Sequence, residues 1–289
     1  MSEPAKTDMH STVVPQGSGT GTRPPSTAVS SHISALINRQ LEQGLPDLSQ
    51  EKLLAHVSRL QVGSRSIPAL GGIPLLKKLG KGGMGEVYLG LHPRLSHEVA
   101  VKILFPHLAE QQPELVQRLY REAQFAAGVK SPHLVSVLDV NEEAGLVYMV
   151  MEYIDGESAG VYRRRAGKLS EPEALDIMIG AAKGLAAAHG EGVVHRDIKP
   201  DNIMIPRLKG KSELDLSSAK LADLGLARSD GMGQSLTGSQ SLMGTAGYMA
   251  PEQAIDAKKA QKPSDVFSMG ATLFSLLTGR GPFVGETPT

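Results

Sequence analysis

Cysteine is missing from all 289 residues, so disulfides, thiolate metal sites and cysteine nucleophiles are excluded. A reducing compartment is allowed without being proved. Excess charge of either sign is missing too: 30 Lys and Arg stand against 30 Asp and Glu, and nothing draws the whole molecule to nucleic acid or an anionic membrane. Either partner would need a local patch. The one arginine run, Arg163-Arg164-Arg165, has no aromatics interleaved with it and reads as a solvated helix end or loop rather than a nucleic-acid site. The amino terminus has no basic segment leading into an apolar run, and no stretch is long and apolar enough for a membrane-spanning helix. The expectation is a cytoplasmic chain with no membrane segment and no nucleic-acid partner, a tether beyond residue 289 being left open.

What is present fits one globular domain of ordinary size with something extra, since 40% of the residues are hydrophobic. Residues 1–30 are rich in Ser, Thr, Pro and Gly, have few large apolar side chains to bury, and read as disordered. Ile33, Leu36, Ile37 and Leu41 then recur at helical spacing, and Leu53, Leu54, Val57 and Leu60 repeat it after Gly44-Leu45-Pro46. Residues 31–72 are therefore expected to form short amphipathic helices and a linker, either packed on the next domain or serving as a docking segment. The folded domain is expected from Ile73. Strand-like runs lie at Leu75 to Leu79, Glu86 to Leu89, Val99 to Leu104, Leu134 to Val140 and Leu146 to Glu152, with a helical stretch from Pro113 to Gly128. Helical patterns dominate beyond Gly156, at Glu171 to His189 and Asp265 to Thr278. Strands followed by helices imply an α+β chain in two lobes.

The octet His195-Arg196-Asp197-Ile198-Lys199-Pro200-Asp201-Asn202 packs a base, two cations and a metal-binding amide into one loop. Phosphoryl transfer to a hydroxyl needs that set. Asp197 can accept the hydroxyl proton, Lys199 can neutralise charge on the moving phosphate, and Asn202 can offer an amide oxygen to Mg²⁺. Upstream, Gly80-Lys81-Gly82-Gly83-Met84-Gly85-Glu86-Val87 supplies glycines where a backbone must approach phosphate oxygens. A dinucleotide fingerprint has similar spacing but requires a following helix, whereas Glu86 to Gly90 reads as a strand and makes this loop a β-hairpin. Val99-Ala100-Val101-Lys102 ends a β-branched strand on a lysine, and Arg118-Leu119-Tyr120-Arg121-Glu122 offers a carboxylate on the next helix. A Lys102 to Glu122 pair would fix the ammonium over the phosphates. The plainer readings are a strand-end lysine reaching water and an exposed helix charge.

From Ile73 onward the chain resembles the eukaryotic-type Ser/Thr protein kinases, particularly their bacterial members. The resemblance rests on the glycine loop, Lys102, Glu122, the octet at His195, Asp223-Leu224-Gly225 and Ala250-Pro251-Glu252, in family order. It implies a bilobal kinase fold, with a small N-lobe at 73–153 built from an antiparallel sheet and one helix. A mainly helical C-lobe would fill 154–289. It further implies a nucleotide cover running through Leu79, Gly80, Lys81, Gly82, Gly83, Met84, Gly85, Glu86 and Val87. Backbone groups of Glu152 and Ile154 would meet the adenine after a gatekeeper at Met151, with Val87 and Ala100 around the ring. Asp197, Lys199, Lys102 and Glu122 would be catalytic. Asn202 and Asp223 would hold Mg²⁺ or Mn²⁺ with ATP, hard cations preferring oxygen. Leu224 stands where Phe is more usual, a mild swap that keeps an apolar plug.

Lys199 and Thr245 in Gly244-Thr245-Ala246-Gly247-Tyr248 favour Ser or Thr of protein substrates as acceptor. Asp265 resembles the buried carboxylate that anchors the catalytic loop. Arg196, Arg228 and Arg118 match positions able to meet a phosphorylated loop, with Ser241 the expected site and Thr237 and Ser239 as alternatives. Autophosphorylation between two copies would require dimerisation. The family usually continues for some three helices past the one beginning near Asp265, including an arginine for Glu252; an unpaired Glu252 would be costly if buried. That leaves a catalytically silent nucleotide-binding scaffold as the rival to an active protein kinase, with a small-molecule kinase disfavoured by Lys199 and Thr245.

Overall fold

The computed structural model describes residues 34–38, 44, 46–224, 247–256 and 259–283, apart from the side chains of Leu115, Arg118, Glu122 and Phe125. The expectations for residues 1–30, Arg228, Thr237, Ser239, Ser241 and Thr245 lie outside that range, as do the side chains of Arg118 and Glu122.

Seven antiparallel strands form the N-lobe sheet: β1 (Ser58–Val62), β2 (Arg65–Leu70), β3 (Ile73–Lys81), β4 (Gly85–Leu91), β5 (Glu98–Leu104), β6 (Val137–Glu143) and β7 (Leu146–Glu152). Their order is β1-β2-β3-β4-β5-β7-β6. Directly paired residues share a face. Val87 pairs with Lys102, Lys102 with Met149, and Ala100 with Met151, so these side chains look one way. Tyr88, Val99, Val101, Ile103, Tyr148 and Val150 look the other way, into a second core. Both faces being covered, β7 is buried at every residue but its last, a continuous apolar run rather than an alternating one.

Residues 53–60 are not a helix. A 3-10 turn, Lys52–Leu54, leads through Ala55, His56 and Val57 into β1, and Leu70 pairs with Ile73, so a boundary at residue 73 would cut through the sheet. Pro68 stands within β2, and Gly71-Gly72 turn the chain from β2 into β3. The proline is tolerated because β3 pairs only with Ala69 and Leu70 and asks nothing of its missing N–H. Further upstream, residues 34–38 do form a helical turn, which buries Ile37 with Val62, Ile67, Leu76 and Leu91.

Between β5 and β6 lie two helices, not one: α1 (Pro106–Gln111) and α2 (Pro113–Gly128). Proline in each first turn suits a position with no helical N–H bond to lose. Leu119, Ala123 and Ala126 make the buried stripe of α2 against the sheet. Leu134, expected in a strand, instead bridges to Leu221 across the lobes.

The C-lobe holds α3 (Ala159–Ala166), α4 (Glu171–Gly190), α5 (Pro251–Ile255) and α6 (Lys262–Thr278) among the described residues. A capping box starts α4, Ser170 and Glu173 satisfying each other's backbone N–H groups. Gly184 brings this helix against the backbone of His133, whose oxygen would lie 2.2 Å from any Cβ there. A three-stranded sheet that the helical pattern did not announce, β8 (Gly156–Ser158), β9 (Ile203–Pro206) and β10 (Lys220–Leu221), carries the segments flanking Asn202 and Asp223.

Candidate active site

The glycine loop closes the β3–β4 hairpin, with the Gly82 N–H donating to Gly85 O at 2.8 Å. Gly85 is locked in place, since a Cβ there would sit 2.0 Å from Ile103 O; Gly80 and Gly83 face open space on the side where a Cβ would stand. Leu79 is the bulged residue, the register slipping between Lys78 and Gly80, and it is 39% exposed. Such a bulge turns the strand just before the loop. Val87, Ala100 and Met151 line the cleft face below it, and Ile154 follows, nearly buried, at the linker between lobes. Glu152 is tied to both lobes, accepting from the Ser136 N–H at 3.2 Å and from Lys220 Nζ at 2.5 Å.

Lys102 reaches from the cleft face to Asp223, Nζ to Oδ1 at 2.8 Å, joining the two lobes across 121 residues of chain. Burial pushes the Asp223 carboxyl up, but the Lys102 ammonium, with Lys199 behind it, holds it below the usual carboxylate range. On the other wall Lys199 Nζ donates to Asp197 Oδ2 at 3.0 Å, and Asn202 Nδ2 donates to Asp197 O at 2.7 Å and Oδ2 at 2.9 Å. With its amide hydrogens committed to Asp197, Asn202 has its oxygen left to offer a ligand. The Ala222 N–H donates to Asn202 O at 2.8 Å, which draws Asp223 alongside. Asp197, Lys199 and Asn202 thus form one hydrogen-bonded group, and the backbone bond from Ala222 to Asn202 sets the Lys102–Asp223 pair beside it. Oxygen donors from Asn202 and Asp223 suit Mg²⁺ or Mn²⁺, and two protein ligands are what Mg²⁺ commonly takes beside phosphate and water.

His195 is a scaffold group. Fully buried, it accepts the Asp197 N–H on Nδ1 at 3.2 Å and donates from Nε2 to Ala222 O at 3.1 Å, which defines the neutral tautomer. Burial lowers its pKa, in keeping with that. Asp265, also without solvent exposure, accepts from the backbone N–H of His195 at 2.8 Å and of Arg196 at 2.7 Å, and from His189 Nε2 at 2.7 Å.

Several groups at the site have no signature in the sequence. Gln253, 4% exposed, donates to Arg196 O at 2.7 Å, and His189 and Lys220 reach Asp265 and Glu152 from distant segments. Glu252 is half-buried and accepts from Ser264 Oγ at 2.5 Å, so it is not left without a partner. A hollow of about 490 Å³ at the end of α2, lined by Ala126, Val129, Lys130 and Leu138, contains none of the candidate residues.

The protein kinase domain family matches residues 74–289. The chain belongs to the protein kinase family. Among its relatives, the serine/threonine-protein kinase PknB of Mycobacterium leprae is 39% identical over 218 residues, covering 73% of this chain and 33% of that protein. The serine/threonine-protein kinase PrkC of Bacillus subtilis is 39% identical over 213 residues, covering 74% and 31%. The chain therefore spans about a third of the length of the curated relatives it matches. Among solved structures, the Mycobacterium tuberculosis PknI kinase domain superposes with a TM-score of 0.60 at 27% identity, covering 75% of this chain and 78% of that one. The protein kinase fold inferred from the motifs is thus borne out, with a curled antiparallel N-lobe sheet over a helical C-lobe. No helix among the described residues is long and apolar enough to cross a membrane.

Proposed function

We propose that this chain is an ATP-dependent kinase that transfers the γ-phosphoryl group to Ser or Thr hydroxyls of protein substrates. The observation that carries the reading is the 2.8 Å Lys102 to Asp223 pair standing beside the Asp197, Lys199 and Asn202 cluster. The glycine loop covers the phosphates, while Glu152 and Ile154 meet the adenine and Val87 and Ala100 enclose it. Lys102 binds phosphate oxygens, and Asp223 and Asn202 hold the divalent cation. When bound, that cation neutralises charge on the β- and γ-phosphates. Asp197 orients the acceptor hydroxyl and takes its proton, and Lys199 faces the charge that builds on the moving group. The gain comes from positioning and electrostatics.

Incubating the chain with labelled ATP, Mg²⁺ and a generic basic protein tests this. Label should enter Ser or Thr, and Asp197→Asn should lower transfer by roughly 10²- to 10⁴-fold with nucleotide affinity nearly intact. Turnover retained in that variant, or label appearing only on sugars or aminoglycosides, would contradict it. Absence of transfer altogether would favour a silent scaffold.

Activation by phosphorylation at Ser241, or at Thr237 or Ser239, belongs to the same reading. Arg196 supports it: its Nε is buried with no hydrogen-bond partner among the described residues, a donor suited to an arriving phosphate. Mass mapping of an active, autophosphorylated preparation should find phosphate within residues 235–241. An unmodified segment would remove the switch.

A further inference from the structure

The family match begins at residue 74, yet the sheet begins at Ser58 and its second core takes in Leu48, Leu54 and Val57. The preceding segment also reaches the loop proposed to cover the nucleotide. Glu86, the residue directly after Gly85, is a carboxylate only 6% exposed, so it needs compensating partners. Lys78 Nζ lies 2.8 Å from it and Tyr88 OH donates to it at 2.6 Å. These partners outweigh burial and hold its carboxyl below the usual range. Lys81, at 3.7 Å with a side chain 65% exposed, adds little. Lys78 is held in turn by Glu51, at 2.9 Å, on the turn that carries Leu54 into the core. Lys78 is also the last regularly paired residue of β3 before the Leu79 bulge, so fixing it fixes the point from which the loop departs.

We propose that Glu51, acting through Lys78, is a positioning residue for the loop Gly80–Gly85, so that a segment outside the family unit sets how firmly that loop is held over the phosphates. This rests on the reading of Leu79–Val87 as the nucleotide cover. A second tie keeps the segment in place: Glu143, at the end of the opposite edge strand, accepts from Ser58 Oγ at 3.0 Å and from the Gly71 N–H at 2.6 Å. The sheet is curled enough for its two edges to meet there, which holds the β1–β2 hairpin as part of one closed N-lobe.

The test compares wild type, Glu51→Gln and Glu51→Asp in the full chain, by steady-state ATP kinetics and by amide exchange without nucleotide. Glu51→Gln should raise KM for ATP about two- to five-fold with kcat little changed, and should speed exchange over residues 80–86 while the strands β5 and β7 keep wild-type rates. Glu51→Asp should recover part of both effects. Lys78→Met, which strips Glu86 of its main counter-charge, should act in the same direction and more strongly; if it does not fold, the Glu51 pair still decides. Unchanged KM and loop exchange in Glu51→Gln would overturn the proposal, as would faster exchange spread evenly over the whole sheet. A wild-type chain unable to use ATP would instead sink the kinase reading, and the exchange comparison alone would then judge the loop coupling.

Discussion

Asp265 holds Arg196 by its backbone: the Arg196 N–H donates to Oδ1 at 2.7 Å, and the residue sits at a φ of 64°, in the left-handed region that non-glycine residues rarely enter. Gln253 clamps the carbonyl of the same residue from the other side. Such a backbone costs on the order of 1–3 kcal/mol and persists only where its surroundings over-determine it. The strain places Asp197, the next residue, against Lys199 and Asn202.

Replacing Asp265 with Asn puts an N–H₂ group where one of two backbone N–H donors now finds an oxygen. A buried donor left without an acceptor costs about 1–3 kcal/mol, and more where a charged partner is lost. Urea denaturation of Asp265→Asn should show a loss of at least that size, and phosphoryl transfer should fall by more than nucleotide affinity does. Wild-type stability in the variant would mean the anchor is dispensable.

Two glycines of one loop should behave differently. In Gly85→Ala the new Cβ would meet Ile103 O at 2.0 Å, so the β4–β5 ladder must shift. Its melting temperature should drop by several degrees, roughly what a 1–3 kcal/mol overpacking loss produces. Gly83→Ala meets nothing within 4 Å. It should keep its melting temperature and raise KM for ATP, because the methyl group intrudes only when phosphates are present.

Acid sensitivity follows from His195, whose pKa burial depresses below its ordinary value. The unfolded chain takes up this proton at about pH 6.5 while the folded chain resists it, so the unfolded state binds more protons in the window below that pH. Stability should therefore be complete above about pH 6.5 and fall as the pH drops toward the depressed value. Urea midpoints at three pH values between 7.5 and 5.5 would read the slope, which should flatten in His195→Gln. An equal slope in that variant would assign the effect to other groups.

Leu54 tests whether the segment before the family unit belongs to the core. It has no solvent exposure and packs in the cluster that includes Tyr88, Val101 and Tyr148. Leu54→Ala should cost about 2–5 kcal/mol. Leu138→Ala, at a residue 42% exposed, should cost far less, and both are read by thermal melting. Similar small losses would detach residues 46–57 from the fold.

Much of this molecule was legible in one dimension. The octet at Asp197, the glycines at 80–85 and the strand that carries Lys102 show their residue types through neighbours a few residues apart, whereas Val87 and Ala100 enter only through the family resemblance, and it is the strand register that sets them on one face with Lys102. Pro113–Gly128 was recognisable as a helix to its ends, because its proline start and apolar stripe are local signals. The β1–β2 hairpin was not, since Leu53, Leu54, Val57 and Leu60 fit a helical period as well as they fit a turn followed by a strand.

Sequence by itself determined the family and the chemical inventory of the cleft, since those depend on residue types at short, fixed spacings. Only the tertiary structure decided that Lys102 meets Asp223, that Asp265 and Gln253 hold Arg196, and that Glu143 ties the far edge of the sheet to Ser58 and Gly71. Those partners lie 57 to 121 residues apart, and no local period encodes such separations. They are set by which buried faces must be covered, and by the need of each buried charge or strained backbone group for a partner wherever the chain can bring one.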